Sequence, residues 1–225
     1  MRLELGKPVR ASDGEVVGEL ADVIIDPVAK RVTHLVIAPE HAHGESRLAG
    51  VELAEADDEG KAIHLRCTAD EARRLPNIEH FSYLRLDQPV VSDPDWDVGV
   101  TNVLALPYYQ AAGLDYAAAP PQELGMFYDT VPKGEVEIRR TSSVVTADER
   151  YVGEVDGFIV DGHGDISHIV LERGHLWGRR EITVPIGAVT KVESDTVMVG
   201  LSIDEIEKLP SHKVHRWRLV ERLTG

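Results

Sequence analysis

Two pairs of histidines recur at fixed spacing along this chain, His34 with His168 and His41 with His175. Histidine is the side chain that both moves protons near neutral pH and ligates metals, so facing pairs of imidazoles could hold a metal ion. A structural reading competes with this one. His34 and His168 stand at the starts of apolar runs, where a neutral imidazole commonly satisfies a backbone group. Cys67 is the lone cysteine, which excludes an intramolecular disulfide and a thiolate-rich zinc site and reads as a buried structural thiol. Asp161-Gly-His-Gly-Asp165 has the look of a calcium loop but lacks the later bidentate Glu, and is expected to form a tight hairpin. Nucleophile elbow, phosphate-binding glycine loop, paired zinc histidines and dinucleotide fingerprint are all missing from the sequence. The expectation is therefore a chain with no catalytic residue, no metal site and no cofactor.

Recognition chemistry is concentrated in one segment, Arg173-Gly-His-Leu-Trp-Gly-Arg-Arg180. Trp and Arg are the residues most enriched at interface hot spots, which makes Arg173, His175, Trp177, Arg179 and Arg180 candidate partner-binding residues. An aligned segment earlier in the chain, Pro39-Glu-His-Ala-His-Gly-Glu-Ser46, carries the opposite chemistry, with Glu45 where the later one has Arg179 and His43 where it has Trp177. The alternative is that Trp177 packs inside the fold, over its own domain or onto the acidic segment.

Charge narrows the partners. Lys plus Arg number 24 against 39 Asp plus Glu, a net charge of −15 that repels phosphate backbones and argues against nucleic acid as a ligand. The last stretch reverses the sign, with Lys213, Arg216, Arg218 and Arg222 against Glu221 alone; it reads as a solvated tail, or one that docks on an acidic partner or membrane surface. No run of about 18 apolar residues is present, and the opening residues lack the apolar run of a signal peptide, so a cytoplasmic protein without a transmembrane segment is expected.

The elements that must position these residues follow from a duplication. Asp13, Gly18, Glu19 and Asp26 recur 135 positions later as Asp148, Gly153, Glu154 and Asp161. After a one-residue shift, His34, Val36, His41, Gly44, Asp70, Glu71, Leu75 and Pro76 recur 134 positions later. Within each copy, β-rich runs alternate with turn residues: 16–25, 31–37, 48–53 and 62–66 in the first, 151–160, 166–171, 182–186 and 196–200 in the second. Thr68-Ala-Asp-Glu71 and Ser202-Ile-Asp-Glu205 have the capping-box spacing, so each copy is expected to close on one short helix, stopped by Pro76 or Pro210. A unit of about 70 residues is marginal alone, which favours two copies packed together.

The run Gly153-Glu-Val-Asp-Gly-Phe-Ile-Val-Asp161, with Ile166-Ser-His-Ile-Val-Leu171 and Glu181-Ile-Thr-Val-Pro185, resembles the PRC-barrel family, named for the cytoplasmic domain of the photosynthetic reaction centre H subunit. The resemblance implies a mainly β fold of two small antiparallel barrels in tandem, each with a short C-terminal helix, arranged as a pseudo-twofold pair. The domains are expected at 1–84 and 134–225, separated by a Pro/Tyr-rich linker over 85–133. Eight of the twelve aromatic residues lie between Asn77 and Lys133, so Tyr83, Trp96, Tyr108 and Tyr109 are expected to pack on the barrels, the alternative being an exposed strap. Three functions remain open: a non-catalytic protein-binding or assembly module whose partner is unknown, an accessory of a membrane electron-transfer complex as the resemblance implies, and an enzyme of unknown type. A further copy of the chain is also a candidate partner.

Overall fold

A computed structural model describes residues 1–39, 46–55, 62–83, 91, 93–105, 125–174, 180–193 and 195–213. The first repeat contributes β1 (Arg2–Glu4), β2 (Pro8–Arg10), β3 (Val16–Asp26), β4 (Arg31–Ala38), β5 (Arg47–Gly50), β6 (Ala54–Glu55), β7 (Ile63–Leu65) and helix α1 (Ala69–Ala72). The intervening segment forms β8 (Glu79–Tyr83), β9 (Trp96–Ala105) and β10 (Gly125–Pro132). The second repeat forms β11 (Val136–Arg139), β12 (Ser143–Thr146), β13 (Tyr151–Val160), β14 (Ile166–Arg173), β15 (Arg180–Pro185), β16 (Val189–Glu193), β17 (Thr196–Val199), helix α2 (Ile203–Ile206) and β18 (Ser211–Lys213). The fold is mainly β, with two sheets in tandem and a third of three strands in the order β8-β10-β9.

β3 and β13 organise their sheets, and each carries a bulge that its sequence hides. Leu20 and Val23 both enter the core although they are three residues apart, because the register against β4 slips between Leu20 and Asp22. Val155 and Phe158 repeat this 135 residues later, with the slip between Val155 and Gly157. One extra residue at that point restores the inward phase and bends the strand. The repeated Gly18 and Gly153 have a related cause, since a Cβ at either would lie 2.4 Å from the carbonyl oxygen of Ala38 or Glu172 on the neighbouring strand.

The bend divides one edge of each long strand between two partners. Residues 16–19 of β3 pair with β2, while Asp22–Ile25 pair with β11, a strand of the second repeat. Residues 151–154 of β13 pair with β12, while 157–159 pair with β1, a strand of the first. The exchange is reciprocal to the residue: Leu3 stands opposite Phe158 and Ile138 opposite Val23, at positions 135 apart. Leu3 and Ile138 are fully buried in one apolar core that also holds Leu20, Leu35, Phe158 and Leu171. The two repeats thus share a core. Their β3–β4 and β13–β14 turns also meet, Val32 N–H donating to Gly164 O at 2.9 Å and Ile166 N–H to Lys30 O at 3.1 Å.

The expected closure of each sheet into a barrel is corrected, and the expected short helices are present in part. The hydrogen-bonded path of the second sheet runs from β16 to β18, and that of the first from β5 to β6, without closing among the described residues. The edge of β3 or β13 along which each sheet would continue is taken by a strand from the other repeat. Nor does a helix end each copy. Both capping boxes form, but α1 and α2 are single turns, after which the chain returns to its sheet: Leu48 N–H donates to Pro76 O in the first repeat, and β18 pairs with β15 in the second. In the stretch expected as a linker, Trp96 and Val131 pack with Ile24, Val36, Leu48 and Ile78 on the outer face of the first sheet.

Candidate functional site

The chemically loaded place in this fold is the layer between that outer face and the three-stranded sheet. Its carboxyls come from four strands. β3 supplies Asp22, which lies opposite Arg139 of β11; Glu137 stands two residues earlier on the same face of β11; β10 supplies Asp129, opposite Glu79 of β8. Asp129 and Glu137 are buried, at 4% and 0% exposure, and share a side-chain hydrogen bond. Two carboxyls can do so only if a proton lies between them. Gly99 of β9 lets the sheet close over this pair, for a Cβ there would lie 2.5 Å from Glu137 Oε2. Ser46 donates to Glu79 Oε1, and Arg139 Nε lies 3.9 Å from Asp195 Oδ1.

Burial sets the protonation of this layer. Desolvation pushes the Asp22 carboxyl up to about 7 against the pull of Arg139, with Asp129, Asp195 and Glu79 adding to the rise. Asp129 is raised well out of the carboxylate range by desolvation first, and then by Glu137 and Glu79. A carboxyl whose ionised form is penalised by burial and by like charges keeps its proton near neutral pH.

At the reciprocal exchange the chemistry is different. Glu4, Asp156 and Glu181 bring their carboxylate oxygens within 4.8 Å of one another. Cations surround them: Arg2 bonds Glu181 at 2.5 Å and lies 3.7 Å from Glu4, Lys7 is 3.6 Å from Glu4, and Arg140 is 3.9 Å from Asp156. Three acids are met by three bases, a balanced ion-pair network that leaves a metal cation little net attraction. Arg2 is the positional equivalent of Glu137, and Glu4 of Arg139, so the two exchange sites have inverted charges.

With this geometry in view, comparison with known proteins is decisive on family. The profile of the PRC-barrel domain matches residues 5–71 and again 140–203. The chain belongs to the PRC-barrel family. No curated protein matches it. The two PRC matches begin just after β1 and just before β12, so both exchanged strands and the whole three-stranded sheet lie outside the matched residues. Of the carboxyls in and around this layer, Asp22 and Asp195 fall within the matched segments, while Glu79, Asp129 and Glu137 do not.

The residues singled out by sequence sit in the PRC repeats as follows. His34 Nδ1 lies 3.0 Å from Thr33 Oγ1 and 3.6 Å from Glu135 Oε2, and His168 Nδ1 lies 3.1 Å from Ser167 Oγ. Each ring thus meets the hydroxyl of its preceding residue, where a backbone partner was expected. Asp161 Oδ1 accepts from the N–H groups of His163 and Asp165 at 2.7 and 3.0 Å, which turns the carboxylate in on its own loop. Desolvation raises the Cys67 thiol, the opposite of activation. Arg173 and Arg180 face each other as the last pair of the β14–β15 hairpin, and Arg180 in turn lies opposite Lys213 of β18. Arg173 bonds Glu207 at 3.2 Å. His41, His43, Glu45, Tyr108 and Tyr109, with His175, Trp177, Arg179 and the tail residues Arg216, Arg218 and Arg222, lie outside the described residues.

Sequence reading missed the carboxyl layer. Asp22, Asp129 and Glu137 sit among residues that read as ordinary solvated strand positions, and no motif marks them. One signal was available: Asp22 falls inside a run, Leu20-Ala-Asp-Val-Ile-Ile25, that is otherwise wholly apolar.

Proposed function

We propose that this PRC-barrel protein is a non-catalytic binding or assembly module, and that its partner docks at the end of the β14–β15 hairpin through Arg173, His175, Trp177, Arg179 and Arg180. The observation that carries the proposal is the row Arg173–Arg180–Lys213 across three neighbouring strands. Like charges directly opposite each other destabilise a sheet. In a chain of net charge −15, Glu207 answers Arg173 while the register still sets Arg180 between Arg173 and Lys213, and an acidic partner surface is what such a row would suit. The partner is read as a protein and the setting as the cytoplasm. The reciprocal registers support a pseudo-twofold pair, and the strands of each sheet are read as the wall of an opened PRC barrel.

A double variant tests the docking site. Trp177→Ala with Arg179→Glu should abolish recovery of a stoichiometric protein partner from native cytosol while leaving the melting temperature within a few degrees, as expected of substitutions that cost the fold about 0.5 kcal/mol or less. Undiminished capture, or a loss of several kcal/mol of stability, would assign this loop to the fold.

A further inference from the structure

We propose that the layer between the first sheet and the three-stranded sheet is a proton-operated latch: protons on the carboxyls of Asp22, Asp129 and Glu137 hold β8–β10 against the outer face of the first sheet, and their loss releases it. The reading is independent of the docking site above.

The geometry carries it. Among the described residues the elements packed on this layer contribute acids or no charge, apart from Arg139 and two histidines at its margin, His34 of β4, opposite Ile24 and 3.6 Å from Glu135, and His80 of β8, beside Thr130. Asp22 comes from β3, Glu137 and Arg139 from β11, Asp129 from β10, Glu79 from β8 and Asp195 from the β16–β17 turn, while β9 presents Gly99. Asp22, Asp129 and Glu137 therefore face one guanidinium, with Glu79 and the half-exposed Asp195 at the margin, and with the first three ionised the layer would carry a charge of about −2 (three carboxylates against one guanidinium) out of water. Burying unpaired charge costs several kcal/mol per ion, so the closed state must hold protons that the open, hydrated state gives up. Among the described residues the remaining attachment is an apolar patch of Ile24, Val36, Leu48, Ile78 and Val131 with Trp96 against it, the bond from Ile78 N–H to Ser46 O at 3.2 Å and the bond from Ser46 Oγ to Glu79 Oε1. Opening would uncover that patch while leaving the shared core of the repeats intact. Titration supports the direction, since Asp22 and Asp129 are both raised above the ordinary carboxylate value.

Linkage fixes the size of the effect. Between the carboxylate value of the open state and the raised value of the closed one, the opening equilibrium shifts about tenfold per pH unit for each proton released. The test is amide hydrogen exchange of the full chain from pH 6 to 9, corrected for intrinsic exchange, comparing residues 128–131 of β10 with residues 155–160 of β13. Protection in β10 should fall by tenfold or more over this range while β13 is unchanged, and Asp129→Asn with Glu137→Gln should reduce the fall to the part that Asp22 alone contributes. Constant protection of β10 in the wild type overturns the latch. So does the same fall in the variant, which would move the effect to His80, whose Nε2 lies 3.2 Å from Thr130 Oγ1. Should the double variant not fold, carbon-detected titration of the wild-type side chains decides: Asp129 titrating above pH 6 supports the latch, and titration below pH 5 overturns it.

Discussion

At the residue scale, the carboxyl groups of this protein fall into two populations with opposite effects on stability. Asp13, Glu71, Asp148, Asp161 and Glu205 are held below their ordinary values, chiefly by hydrogen bonds from backbone amides or, for Asp148, from the Thr146 hydroxyl. Their contribution is present above the unfolded value and is lost as pH falls through the folded one. Asp22 and Asp129 behave in reverse. In the unfolded chain they titrate at the ordinary 3.8, while in the folded one burial raises both, Asp22 to about 7. The folded state then binds more protons than the unfolded state across the interval between those values. Its stability is complete below the lower value and lost as pH rises through the upper one, at about 1.4 kcal/mol per pH unit for each proton. Self-repulsion of a chain with net charge −15 and an isoelectric point near 5.0 acts in the same direction. Denaturant midpoints at constant ionic strength should accordingly be higher at pH 5.5 than at pH 8, and Asp22→Asn should flatten the profile. A wild-type midpoint that climbs from pH 5.5 to 8 would contradict the assignment of these protons.

At the scale of elements, what the sequence made legible and what it did not divide along a physical line. Strands β3, β4, β13 and β14 and both capping boxes follow from local pattern, because alternation, turn residues and the Ser/Thr-to-Glu spacing are written within a few neighbouring residues. The partners of β1 and β11 are not written there. A three- or four-residue strand such as Arg2–Glu4 carries a buried Leu3 that would suit either repeat, and only the bend in β13 decides that it pairs with the other one. The layer under β10 was hidden for a related reason, since an acidic residue in an isolated strand implies solvent until another sheet covers it. The exchange depends on close backbone approach at Gly157, where a Cβ would meet Leu3 O at 2.2 Å and Glu4 Cα at 3.0 Å. Both contacts are backbone, so no rotamer change relieves them. Gly157→Val should therefore cost about 1–3 kcal/mol, the usual range for overpacking, and raise amide exchange at Leu3 and Glu4 ahead of β4. Gly162→Ala is the control, for nothing lies within 4 Å of its added methyl. Equal stability of the two variants would mean that β1 is not held as described.

At the scale of the whole molecule, the exchange makes two PRC repeats one folding unit. Each sheet is completed by a strand of the other repeat, and each exchanged strand brings a fully buried side chain, Leu3 or Ile138, into the common core. Lys30 adds a polar tie, its ammonium donating to Val189 O at 2.8 Å and Ile186 O at 3.3 Å across the repeats. A lone repeat of about 70 residues would be marginal even with its full complement of strands, because so small a domain buries too little of its surface. Deprived of the exchanged strand, it would also expose half the edge of β3 or β13 as an unpaired template. A break at Gly134 separates the repeats cleanly: it lies in the turn between β10 and β11, with φ of +79° and nothing within 4 Å of a Cβ position. Fragments 1–133 and 134–225 should each fail to unfold cooperatively when alone, and mixed in equal amounts they should recover a one-to-one complex with a single melting transition. The strand exchange predicts further that removing residues 1–5 from the first fragment weakens this reassembly, because Leu3 then leaves the core of the second. A cooperative melt of either fragment by itself would show that a PRC repeat of this chain is autonomous and that the exchange only decorates a fold already formed.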